Sequence, residues 1–187
     1  MLRYATSNEG KAREATKFLG EGVESVDVEY VEVQANDIRD IAAAGATAAF
    51  DKLGGEDPVI VDDAGLFIEA LGGFPGPYSS YVEDTLGIER VANLAMGESE
   101  TAASFRAVIG FTDGTIVETF EGRCRGKIVP PRGDGGFGYD PIFAHGDRTF
   151  AEMNVEEKNA ISHRGRALER FTEWYADRTN TAGARRP

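Results

Sequence analysis

Two short segments near the C-terminal end, Phe137–Phe143 (FGYDPIF) and Lys158–Arg164 (KNAISHR), place an aromatic ring, carboxylates and a Lys, His, Arg set in one region of the chain. An aromatic residue in a glycine-rich loop can stack on a base, and cationic donors can grip a phosphate or the oxygens of a heterocycle. Gly135, Gly136 and Gly138 around Phe137 allow the backbone to approach a ligand closely. Phe137, Gly138, Tyr139 and Asp140, together with Lys158, His163 and Arg164, read as a base-facing set. Such a cluster of donors suits a ring with carbonyl oxygens rather than amino groups.

Two further polar clusters, Thr6–Glu14 (TSNEGKARE) and Asp62–Ala64 (DDA), are not required by the hydrophobic pattern. Thr6, Ser7, Asn8, Glu9, Gly10 and Lys11 lie where a strand gives way to a helix, and free N–H groups at a helix N-terminus favour an anion. The spacing is not that of a P-loop, and a helix cap with a surface lysine is the plain alternative. Asp62 and Asp63 follow the apolar run Val59–Val61, and adjacent carboxylates repel unless a cation or donors compensate them. Mg²⁺ is the expected compensator, with Glu32 as a second carboxylate; an acidic loop is the alternative. Successive strand residues face opposite ways, so one aspartate is expected at the metal and the other in hydrogen bonds.

The elements that must position these groups follow from periodicity. Leu2–Ala5 reads as a buried strand, Lys11–Leu19 as a helix and Val26–Val33 as a half-buried strand. A second helix is expected over Asp37–Leu53, and Val59–Val61 as a central strand whose end delivers Asp62 and Asp63 to a cleft. The glycine- and proline-rich stretch after Asp63 reads as a loop with short regular pieces, followed by a helix over Ile88–Met96. Ser104–Phe111 and Thr115–Gly122 form a hairpin about an Asp-Gly turn, with Arg123–Val129 extending its second strand. Asn154 and Glu157 have capping-box spacing, and Ile161, Leu168, Phe171 and Tyr175 mark a final helix over Ser162–Asp177. The mixture predicts α/β with a mixed sheet, one domain over 1–177 and a disordered tail over 178–187.

Composition narrows the function classes. A net charge of −12, from 32 acids against 20 bases, excludes a broad nucleic-acid-binding face, so an anionic substrate must enter a local basic pocket. Only five of the bases are lysines, a balance that suggests adaptation to high salt. No apolar run approaches the ~20 residues of a membrane span, and a cytoplasmic protein without a membrane partner is expected. The single Cys124 allows no internal disulfide, and no Cys or His spacing fits zinc.

The motifs TSNEGKxxE, VxxQA, DDAGLFIEALGGFPGPYSSY, GGFGYDPIF and EEKNAISHRGRAL occur in this order from Leu2 to Trp174. Together they resemble the inosine triphosphate pyrophosphatases, also called XTP/dITP diphosphatases. The resemblance implies an elongated two-lobed α/β fold, with a long mixed sheet flanked by helices and an active-site cleft between the lobes, as a homodimer. It implies Mg²⁺-dependent hydrolysis of ITP, dITP and XTP to the monophosphate and pyrophosphate, which cleanses the nucleotide pool. Carried over by position, Thr6 to Lys11 match the triphosphate loop and Glu32 and Asp63 the metal ligands. Asp63 also matches the proton acceptor, and Phe137 to Asp140 with Lys158, His163 and Arg164 match the base set. Two positions depart from the pattern. Ala64 replaces a substrate-contacting serine and leaves only its backbone N–H, and Thr47 falls where many members carry a phosphate-facing lysine, with Lys52 further along. Other readings are a pyrophosphatase for modified pyrimidine nucleotides, a phospho-acceptor module like a response-regulator receiver, and a nucleotide-binding protein without catalysis.

Overall fold

The chain opens as a strand, Leu2–Ala5 (β1), in which Leu2, Tyr4 and Ala5 are all buried. The computed structural model describes residues 1–183. Asn8 ends the turn after β1 and caps helix α1 (Glu9–Leu19): its side-chain oxygen accepts the Lys11 N–H at 3.1 Å. The chain returns as β2 (Val23–Val26), parallel to β1. Helix α2 (Ile38–Lys52) is capped by Asp37 and packs on the sheet through Ile38, Ala42, Ala46 and Ala49. Small residues allow a close approach. Gly110 below is so near that a Cβ there would lie 2.2 Å from the Ala42 carbonyl oxygen.

Three long strands follow, β3 (Val59–Ile68), β4 (Ala102–Thr112) and β5 (Val117–Ile128), then the short β6 (Phe143–His145) and β7 (Arg148–Thr149). The sheet order is β2-β1-β3-β4-β5-β6-β7; β2, β1 and β3 are parallel and the remaining pairs antiparallel. The β4–β5 hairpin turns where expected, with Asp113 accepting the Thr115 and Ile116 N–H groups. Helices α3 (Ser79–Leu86) and α4 (Ile88–Met96) fill the connection from β3 to β4, and α5 (Val155–Ile161) and α6 (His163–Gly183) end the described chain.

Three apolar clusters hold this arrangement. One lies between the sheet and α1 with α6, around Ile60, Ile109, Phe111 and Phe171. A second joins α2 to the opposite face through Val59, Val61 and Val108. The third sits at the far end of β3, β4 and β5, where Leu66, Phe105, Phe143 and Phe150 meet α3 and α4. The long strands run through both ends, giving the mixed α/β sheet flanked by helices that the sequence predicts. Among the described residues no helix is long and apolar enough to cross a membrane.

Several boundaries differ from expectation. The strand expected over Val26–Val33 is regular only at Val26, because β1 is four residues long and offers no pairing beyond it; Val31 and Val33 are exposed. The strand expected to stop at Val61 continues to Ile68, since β4 pairs with it throughout, so Asp62 and Asp63 lie mid-strand where β1 ends. The stretch expected as a loop with short regular pieces holds α3, a helix of eight residues, as one of those pieces. The final helix starts at His163, one residue from the expected Ser162, and the expected Asn154–Glu157 capping box opens a separate short helix, α5. Residues 178–183, expected to be disordered, continue α6, with Arg178 2.5 Å from Asp113; 184–187 lie outside the described residues.

Candidate active site

Beyond the C-terminal end of β1 lies a cavity of about 350 Å³, within the size range of small-molecule sites. Six side chains of alternating charge form one network at it, and all but Glu14 line it. Lys11 Nζ donates to the Asp62 carbonyl oxygen at 2.6 Å and lies 3.2 Å from Asp62 Oδ1. Arg164 Nε donates to Asp62 Oδ2 at 2.6 Å, and its Nη1 donates to Glu14. Glu14 also meets Lys158 Nζ at 2.5 Å, and Lys158 donates to Asp140 Oδ2 at 2.6 Å. Glu14, Asp140, Lys158 and Arg164 are all buried, so each charge depends on its neighbours. Burial alone would raise the Asp62 carboxyl, but Arg164 and Lys11 hold it well below the usual carboxylate range. Burial likewise opposes the Arg164 charge, and Asp62 and Glu14 raise its pKa nonetheless.

Asp63 points to the other face of β3, opposite Val108, towards the segment that carries Tyr30 and Glu32. Its Oδ2 is buried without a hydrogen-bond partner among the described residues. Burial pushes its carboxyl up to about 6; Lys11 and the Ala64 N–H oppose this, while Asp62 and Glu32 add to it. The two carboxylates face opposite sides of β3, as strand alternation predicts: Asp62 is held in ion pairs, whereas Asp63 Oδ2 has no hydrogen-bond partner among the described residues. Burial, with Glu32, Asp63 and Asp62, pushes the Tyr30 hydroxyl up to about 12.

The aromatic end of the cavity is built by the loop before β6. Asp140 Oδ2 accepts the Phe137 N–H at 2.8 Å, fixing a turn in which Gly136 adopts φ +71°. A Cβ at Gly136 would come within 2.1 Å of that carboxylate, so only glycine fits. Phe137 rests on the first turn of α1, where a Cβ on Gly10 would lie 2.8 Å from its ring. Lys158 Nζ sits 4.6 Å from the Phe137 ring centroid, a cation–π contact. Tyr139 is anchored by its hydroxyl, which donates to the Ser79 carbonyl at 2.8 Å. His163 stacks on Phe105 at 4.6 Å between centroids, and its Nδ1 is buried without a partner. Burial, then Arg164 and Lys158, keep this imidazole neutral by lowering its pKa well below the ordinary value.

A family model described as the Ham1 family matches residues 2–174. The chain belongs to the Ham1 family. Similar Ham1 relatives include a protein named dITP/XTP pyrophosphatase from Methanopyrus kandleri, 52% identical over 187 residues, covering 96% of this chain and 97% of its own. Another of the same name from Thermococcus kodakarensis is 49% identical over 179 residues, covering 92% and 96%. The solved structure of a HAM1 protein from Coxiella burnetii matches with a TM-score of 0.83 at 32% identity, covering 94% of this chain and 98% of that one.

Within this Ham1 fold, most of the residues expected from sequence line one cavity: Thr6, Ser7, Asn8 and Lys11 on one side, Glu32, Asp63 and Ala64 in the middle, and the base set at the other end. Glu9 and Gly10 do not line it. Glu9 is exposed at the start of α1, and Gly10 serves as the seat of Phe137. Asp140 and Lys158 are committed to each other as well as to the cavity. Thr47 and Lys52 are exposed and away from it. Glu14 closes the TSNEGKARE cluster singled out in the sequence, but its role as the acid shared by Arg164 and Lys158 was not foreseen, although it follows Lys11 by three positions on one helix face. Tyr30, Ser79 and Glu83, which also line the cavity, were missed too. A tyrosine two residues before Glu32 was the only local signal for Tyr30.

Among the described residues no group of three or more His, Cys, Asp or Glu side chains could hold a metal by itself. The unpartnered Asp63 Oδ2 and the nearby Glu32 fit an ion that takes its remaining oxygens from phosphate and water, as Mg²⁺ commonly does.

Proposed function

We propose that this chain hydrolyses the triphosphates of deaminated purines, dITP, ITP and XTP, to the monophosphate and pyrophosphate. The observation that carries this reading is the single cavity joining an anion-binding helix start with Lys11, an open Asp63 and a donor-bearing aromatic end. Relatives named dITP/XTP pyrophosphatase, similar over nearly their whole length, support it.

Asp63 is the general base in this reading: a carboxyl near pKa 6 is deprotonated at neutral pH yet basic enough to orient water and take its proton. Lys11 and the N–H groups at the start of α1 neutralise the departing pyrophosphate. Asp63 and Glu32 would hold Mg²⁺, which supplies charge neutralisation on the phosphate oxygens. Phe137 stacks on the base. The neutral imidazole of His163, with its proton on Nδ1, would donate to a 6-oxo group, whereas a 6-amino group meets that donor with another donor.

Homodimerisation is part of the proposal. The sheet face beyond α2 carries Phe67, Arg106, which lies over the Phe67 ring, and Arg123, which lies 3.7 Å from Glu69; the Nε atoms of both arginines have no hydrogen-bond partner among the described residues. A second copy of this acidic protein offers carboxylates to them, which size-exclusion chromatography with light scattering will test. Pyrophosphate release from ITP, dITP, XTP, GTP and ATP, with and without Mg²⁺, tests the activity. The reading predicts Mg²⁺-dependent turnover of the first three and little of ATP; equal turnover of ATP, or none of ITP, dITP or XTP, would overturn it.

A further inference from the structure

The wall that α2 presents to the cavity carries no charge: the residues facing inward are Ile41, Ala42 and Gly45. Lys52, the basic residue of its last turn, is exposed and does not line the cavity. The three basic side chains that do line it with a charge, Lys11, Lys158 and Arg164, are each bound to acids of the chain. A triphosphate lying along the α2 wall therefore needs another donor.

Tyr30 stands there. Its ring packs against the apolar cluster beneath α2, and its hydroxyl oxygen lies 3.2 Å from where a Cβ on Gly45 would be, with ring carbons at 3.4 and 3.6 Å. Any larger residue at position 45 would press on the phenol, so Gly45 provides its seat. The hydroxyl shares the cavity with Asp63 and Glu32 and has no hydrogen-bond partner among the described residues. A phenol is protonated at neutral pH and brings a donor without adding negative charge beside those carboxylates.

We propose that the Tyr30 hydroxyl is a substrate-binding donor to the phosphate chain, seated by Gly45 on the uncharged α2 wall. This rests on the nucleoside triphosphate reading above.

The test compares wild type with Tyr30→Phe, which removes one oxygen, and Gly45→Ala, which crowds it. Two quantities are measured: kcat/KM for ITP, dITP and ATP, and binding of inorganic tripolyphosphate with Mg²⁺ by calorimetry. Tyr30→Phe is expected to weaken tripolyphosphate binding and lower kcat/KM for ITP about 10- to 100-fold, as for a lost hydrogen bond to a charged group. The ITP to ATP ratio and the melting temperature should stay unchanged. Gly45→Ala should lose part of the same activity while melting no lower, because alanine is the better helix former. Unchanged tripolyphosphate binding and kcat/KM in Tyr30→Phe would overturn the inference, as would a changed ITP to ATP ratio with tripolyphosphate binding intact. If wild type hydrolyses no triphosphate, the functional reading fails, and the tripolyphosphate comparison still decides the role of Tyr30.

Discussion

Replacing Asp63 by Asn should abolish turnover and yet stabilise the fold. The carboxyl titrates at about 6 in the folded chain against an ordinary 3.8, a gap worth at most about 3 kcal/mol at about 1.4 kcal/mol per pH unit. The sign follows from proton binding: between the two values the folded state holds more protons than the unfolded one, so stability falls as pH rises. The penalty is absent below about 4, grows towards 6 and is complete above it. Asparagine has nearly the same shape and no charge, so the variant avoids the penalty. At pH 7.5 without metal, Asp63→Asn should therefore be more stable by about 1–3 kcal/mol, or roughly 2–10 °C in melting temperature for a chain of this size. At pH 4.5 most of the difference should vanish. Mg²⁺ with a non-hydrolysable triphosphate should raise the melting temperature of wild type far more than that of the variant, and pyrophosphate release should drop by about 10²- to 10⁴-fold. Calorimetry at several pH values, with an activity assay on the same samples, measures all of this. A folded variant no more stable than wild type at pH 7.5 would refute the account of Asp63 as a destabilised, open carboxylate.

Other outcomes follow from the same geometry. Gly10→Ala places a Cβ 2.8 Å from the Phe137 ring, so kcat/KM for ITP should fall about tenfold with secondary structure unchanged by circular dichroism; full activity would show that the loop tolerates displacement. Glu14→Gln leaves Arg164 and Lys158 sharing too little negative charge in a buried place, and should cost about 3–5 kcal/mol in urea unfolding; a loss below about 1 kcal/mol would mean the network is hydrated. With 32 acids against 20 bases, the melting temperature should rise between low and molar KCl as self-repulsion is screened. A maximum at low salt would count against high-salt adaptation.

What the sequence made legible was local. The Asn154 cap and the Asp-Gly turn depend on residues within a few positions of one another, and both are present. Strand alternation alone separated Asp62 from Asp63. The failures involve distant partners. Val26–Val33 has the alternation of a strand, but pairing is set by the length of β1, which that segment does not encode. Glu14 looks like a surface acid on a helix until Arg164, 150 positions later, folds against it. Arg164 and Lys158 resemble free donors in a motif, and the acids that hold them come from three other parts of the chain. Gly45 has no meaning in sequence without the ring of Tyr30 above it.

The strands β3, β4 and β5 run unbroken for 10, 11 and 12 residues past the cavity and into the apolar clusters on either side of it. They act as splints. Bending the two ends of the protein towards each other would strain a ladder of about ten paired residues on each strand, so the sheet resists a sharp hinge between them. Adaptation to substrate falls instead to pieces outside the ladder: the turn at residues 6–8, the irregular stretch over 27–36 that carries Tyr30 and Glu32, and the loop that carries Phe137. Such a protein changes the lining of its cleft while keeping the width of its frame.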